Sequence, residues 1–156
     1  MSIRPQQPTC LPDFEHINRY WDRNNDIWAA KILPGEYYVS QNSNEVIATT
    51  LGSCVSACIR DKVLGIGGMN HFMLPLKSQH GSEDWMDSAT RYGSYAMEHL
   101  INDILKAGGN KNNLEVKLTG GGKIVANMSD VGLRNIEFAL EYLKTENLTV
   151  LSQDLG

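Results

Sequence analysis

The chain is 156 residues long, 42% hydrophobic and 21% charged, which suits one globular domain with a sizeable core and makes a second domain unexpected. Its formal net charge of -4, with acids and bases interspersed, offers no basic stripe to neutralise phosphates, so nucleic acid is not an expected partner. No apolar run approaches the length of about 18 residues that a membrane span needs, and the N-terminus lacks the apolar segment of a signal peptide, so no membrane insertion and a cytoplasmic location are expected.

Residues 1–27 are polar and proline-bearing, with His16, Tyr20 and Trp21 among few large anchors and no sustained period. They read as an N-terminal extension lying over a catalytic domain of residues 28–156. From Ala29 to Gln41 the chain is strand-like around Ile32-Leu33 and Tyr37-Tyr38-Val39, with the turn dipeptide Pro34-Gly35 between. A polar turn at 42–44 leads into a second apolar run, Glu45 to Leu51, which ends at the corner Gly52-Ser53-Cys54.

Beyond that corner Cys54, Ser56, Cys58 and Arg60 share one parity and Val55, Ala57 and Ile59 the other, the period of a strand. Asp61-Lys62 signals a turn and the run resumes at Val63, so the pair reads as a hairpin. A loop from Asp61 to Leu64 would pair Arg60 with Gly65 and set Cys54 directly opposite His71, with Cβ atoms about 4.5–5.5 Å apart. A bulge at Gly67-Gly68 would instead turn His71 to the other face.

Residues 77–90 are polar and glycine-bearing and read as a loop bordering the site, with His80 and Trp85 in it. From Asp87 the pattern is helical, with Ala89, Tyr92, Ala96, Met97, Leu100, Ile101, Ile104 and Leu105 on one stripe and Gly108-Gly109 as the stop. Leu114 to Thr119 alternates as a strand and runs into Gly120-Gly121-Gly122-Lys123, which lacks the spacing of a phosphate-binding loop. A close backbone approach to the Cys54 corner is the expected use of these glycines. Ser129-Asp130 caps a second helix with Ile136, Ala139, Leu140 and Leu143 on its apolar face, and Leu148 to Ser152 forms a last strand. Two helices and five or six short strands make an α/β fold, a compact layered mixed sheet with antiparallel hairpins.

The chemistry suggested is that of a thiol beside an imidazole. A thiolate is a strong nucleophile, a neighbouring base can generate it, and turn amides at Gly52-Ser53 can face a developing oxyanion. The bland alternatives are a buried structural thiol and a core histidine. Cys10, Cys54 and Cys58 are an odd number without framework spacing, so reduced thiols are expected, and Cys58 lacks an evident base. Cys54 and Cys58 with His71 and His80 do not match a usual zinc pattern, and neither a metal nor a cofactor is expected.

The stretch LGSCVSACIRD at 51–61, the run ending His71-Phe72-Met73-Leu74-Pro75 and the glycines at 120–122 resemble the chemoreceptor glutamine deamidases of bacterial chemotaxis, the CheD family. The motifs place the resemblance over roughly residues 35 to 156. It implies a fold like that of the cytotoxic necrotizing factor catalytic domains, with Cys54 as nucleophile, His71 as its base and a nearby threonine, carried over to Thr49, as a third site residue. Ala48 stands six before the cysteine, where the family's threonine is expected. The resemblance also implies that the substrate glutamines lie on cytoplasmic helices of chemoreceptors, and that family members continue past Asp154-Leu155-Gly156 with further strands, so this chain is expected to be shortened. Two other readings use the same residues: a peptidase or transglutaminase-like acyl transfer, and a non-catalytic adaptor that binds a CheC-type phosphatase or a receptor.

Overall fold

The computed structural model describes residues 3–76, 84–124, 126 and 130–156. The readings made for His80 and Ser129 lie outside them, as does the side chain of Trp85. In chain order the elements are β1 (Asn18–Asp22), β2 (Ile27–Lys31), β3 (Tyr37–Ser40), β4 (Glu45–Ala48), β5 (Val55–Asp61), β6 (Gly67–Asn70), α1 (Asp84–Lys106), β7 (Leu114–Gly120), α2 (Val131–Thr145) and β8 (Val150–Leu155).

Two mixed sheets result. The larger has the order β3-β6-β5-β7-β8, antiparallel throughout except for the parallel pair β7 and β8. The smaller has the order β1-β2-β4, with β2 antiparallel to β1 and parallel to β4. Eight strands are described where five or six were expected, and the N-terminal residues contribute one of the additional ones, β1, which pairs Trp21 with Trp28. Their polarity hid this strand, since the burial pattern of β1 leaves every residue exposed or half-buried and so shows no clean alternation.

The larger sheet buries Val55, Ala57 and Ile59, and α1 packs on β6, β3 and β5 through Met97, Leu100, Ile101 and Ile104. Burying each such side chain contributes about 1.5–3 kcal/mol before entropic costs. α2 begins at the Asp130 cap, whose side chain accepts from Leu133 N–H, and buries Asn135, Ala139 and Leu143, while Leu140 sits at the margin of the face expected for it. The two sheets are joined by a buried polar cluster: Glu45 on β4 accepts hydroxyl bonds of 2.8 Å from Tyr38 and from Ser40 on β3, and pairs with Arg19 on β1 at 3.2 Å. A buried pair of this kind contributes little net energy, but breaking it would strand a charge and cost about 3–5 kcal/mol.

The hairpin is where the sequence expectation fails in detail. β5 pairs Arg60 with Gly67, not Gly65, so the register differs by two residues. The turn is displaced by one residue: Asp61 stays on the ladder, its N–H donating to Ile66 C=O at 2.8 Å, while its carboxylate accepts from Val63 N–H at 2.8 Å and Leu64 N–H at 2.9 Å and its C=O from Gly65 N–H at 2.8 Å, so Gly65 is drawn into the loop. Gly65 completes the turn at φ 74°, in the left-handed region that glycine enters without a Cβ penalty.

Candidate active site

The displaced loop moves Cys54 off direct opposition to His71. Val55 and Phe72 exchange both backbone hydrogen bonds at 3.0 Å, which makes them the opposed pair. Cys54 and His71 each precede a member of that pair, so a slip of two residues keeps them on one face and makes them diagonal neighbours. Such neighbours stand about 7–8 Å apart between backbones, within reach of a side chain that leans toward the other strand.

His71 is 3% exposed and anchored by backbone bonds to residues on the far side, donating from its N–H to the Glu36 carbonyl and accepting from Gly35 N–H. Its Nδ1 lies 2.8 Å from Thr49 Oγ1, and the same hydroxyl lies 2.8 Å from the Ile32 carbonyl. A carbonyl can only accept, so the hydroxyl proton goes to Ile32 and Thr49 accepts from Nδ1–H. That leaves the lone pair on Nε2, which is buried and has no hydrogen-bond partner among the described residues. Thr49 and His71 are therefore in direct contact, whereas the Cys54 thiol is not hydrogen-bonded to the imidazole.

Burial pushes the Cys54 thiol above its ordinary value and pushes the His71 imidazole below its own. Both shifts favour the uncharged forms. Burial thus favours a neutral thiol beside a neutral imidazole over the preformed thiolate that proximity alone suggested. Cys58 is also raised, chiefly by burial, with Lys117 opposing. All three cysteines are free, and among the described residues no group of three or more His, Cys, Asp or Glu side chains is clustered as metal ligands would be.

The glycine run approaches the cysteine corner as expected. Cys54 C=O accepts from Gly121 N–H at 2.7 Å and Gly52 C=O accepts from Gly122 N–H at 2.8 Å. A Cβ on Gly120 would stand 2.2 Å from Cys54 O, and the residue adopts φ 107°, so only glycine fits.

One site residue escaped the sequence reading. Asn135 on α2 is 0% exposed, donates from Nδ2 to Ser53 C=O at 2.8 Å and accepts at Oδ1 from Leu74 N–H at 2.9 Å. It ties the corner before Cys54 to the segment after His71. The available signal was an amide on a helix face otherwise formed by Gly132, Ala139 and Leu143, because a buried amide must find partners.

The family described as CheD chemotactic sensory transduction matches residues 73–156. A probable chemoreceptor glutamine deamidase CheD of Halorhodospira halophila is 59% identical over 152 residues, covering 96% of this chain and 70% of the relative. A protein of the same name in Hahella chejuensis is 51% identical over 154 residues, covering 98% of this chain and 72% of the relative. One in Saccharophagus degradans is 51% identical over 153 residues, covering 94% and 69%. The likeness therefore extends further toward the N-terminus than the motifs alone marked. With about half its residues or more shared along nearly its whole length, the chain belongs to the CheD family.

Proposed function

We propose that the protein is a glutamine deamidase that hydrolyses side-chain amides on the cytoplasmic helices of chemoreceptors, with Cys54 as nucleophile and His71 as general acid and base. The observation that carries the mechanism is the Thr49 contact, which directs Nδ1–H away and leaves Nε2 free as a base on the face shared with Cys54. The substrate class follows from the names of the relatives, each a probable chemoreceptor glutamine deamidase.

In the first half-reaction His71 Nε2 takes the proton of the Cys54 thiol as sulfur attacks the glutamine carbonyl carbon. The tetrahedral oxyanion then collapses, the carbon–nitrogen bond breaks, and the imidazolium gives its proton to the departing nitrogen, releasing ammonia. Water attacks the thioester while His71 accepts its proton, the carbon–sulfur bond breaks, and the sulfur recovers the proton. Glutamate is left on the receptor. The lowered basicity of His71 suits the cycle, since the imidazole starts neutral and readily gives up the proton it has taken.

Mass spectrometry of a glutamine-bearing receptor fragment incubated with the protein tests this reading. Conversion of amide to acid with release of ammonia, without chain cleavage or amine incorporation, is the expected result. Cleavage would indicate a peptidase, incorporation a transglutaminase, and an unchanged fragment a binding module.

A further inference from the structure

The peptide between Ser53 and Cys54 is held from one side only. Its carbonyl is engaged by the Asn135 side chain at 2.8 Å, and the orientation of that amide is fixed because Leu74 N–H can only donate and Ser53 C=O can only accept. The peptide is trans, as are all among the described residues, so the Cys54 N–H points away from the Ser53 carbonyl. The Cys54 carbonyl is likewise engaged, by Gly121 N–H at 2.7 Å. The Cys54 N–H has no acceptor among the described residues. It belongs to the residue whose sulfur would attack, at a corner that is half-buried.

Resting on the deamidase reading above, we infer that the backbone N–H of Cys54 is the donor that stabilises the oxyanion formed on the glutamine carbonyl, and that Asn135 is the positioning residue that aims it. The donor carries no charge and needs no rearrangement during the reaction, because Asn135 and Gly121 fix the peptide planes on either side of Cys54. An N–H held ready where negative charge develops stabilises the transition state far more than the bound amide. The role assigned to α2 follows: Asn135 ties the helix to the corner.

Asn135→Asp retains the acceptor for Leu74 N–H and abolishes the donor to Ser53. Its kcat on the receptor fragment should fall about 100-fold with KM changed less than about threefold, the magnitude seen when one oxyanion donor is lost. Alkylation of Cys54 by iodoacetamide, which attacks a saturated carbon and forms no oxyanion, should keep its wild-type rate and pH profile. Parallel loss of alkylation and turnover would overturn the inference by showing that Asn135 merely maintains the thiol. Undiminished kcat would overturn it as well, and because wild-type turnover is measured beside it, the deamidase reading would survive that result.

Should the variant fail to fold, the wild-type chain supplies the test. A receptor-derived peptide whose target side chain ends in an aldehyde adds to the Cys54 thiol, and the Cys54 amide proton should move downfield in the NMR spectrum of the adduct. An adduct that forms without that shift would rule out Cys54 N–H as the donor.

Discussion

Thr49 Oγ1 stands 2.8 Å from His71 Nδ1 and 2.8 Å from the Ile32 carbonyl, so a single hydroxyl sets the tautomer of the imidazole. Thr49→Val preserves shape and removes both bonds. Turnover should fall about 10- to 100-fold, short of the loss of a whole general base at about 10²–10⁴. Thr49→Ser should restore most of it, and wild-type turnover in the valine variant would show that the imidazole is oriented by its backbone anchors alone.

Cys54→Ala and His71→Ala should each abolish deamidation, with the double variant scarcely worse than either. In the proposed cycle the thiol and the imidazole share one proton, so losing either disables the same step, and residues acting as a unit are grossly non-additive. Cys58→Ala should leave kcat nearly unchanged. Additive losses in a rate comparison of folded variants would separate the two residues mechanistically.

The thiol and imidazole shifts give two pH signatures. Because burial raises the Cys54 thiol, its alkylation rate should reach half its maximum above the ordinary thiol value of 9.0, and a midpoint near neutrality would indicate a preformed thiolate. Because burial lowers His71, the unfolded chain binds more protons than the folded one just below the ordinary histidine value of 6.5. The contribution of His71 to stability is complete above that pH and is lost as pH falls from there through the folded-state value. Urea titrations of wild type and His71→Gln across that window should diverge in slope with pH, and coincident pH dependences would contradict the assignment.

Gly120→Ala should impair both stability and turnover. Its backbone strain alone is about 1–3 kcal/mol, and the new Cβ would stand 2.2 Å from Cys54 O, displacing Cys54. Gly65→Ala is the control, since φ is 74° there and no atom lies within 4 Å of the added carbon. It should lose some thermal stability and no activity. Equal effects in paired melting and turnover measurements would remove the special role of the 120–122 run.

The facing of the candidate site residues was legible because parity survives error. The alternation from Cys54 to Arg60 placed Cys54 and His71 on one face, and an even slip in register left that conclusion intact. The slip itself was hidden because it depends on where one carboxylate, Asp61, finds its N–H partners; one of them is Asn110 N–H, far along the chain, at 2.8 Å. Asn135 was missed for a related reason: its partners Ser53 and Leu74 lie 82 and 61 positions away. The helices were readable from local period, while β1 drew its order from pairing with β2 rather than from its own pattern.

The placement of Thr49 and Ile32 has a consequence for how activity emerges during folding. Both follow strands of the smaller sheet, where Ile32 N–H donates to the C=O of Ala48, the residue before Thr49, and Thr49 Oγ1 donates back to Ile32 C=O, whereas Cys54 and His71 belong to the margins of the larger one. A chain in which each sheet has formed but the pair has not yet closed would possess its thiol and its imidazole with the ring free to rotate. Refolding followed by far-ultraviolet dichroism would then run ahead of recovered catalysis. The lag would time the closure of the two sheets, making the enzyme its own reporter of a tertiary event that backbone spectroscopy does not register.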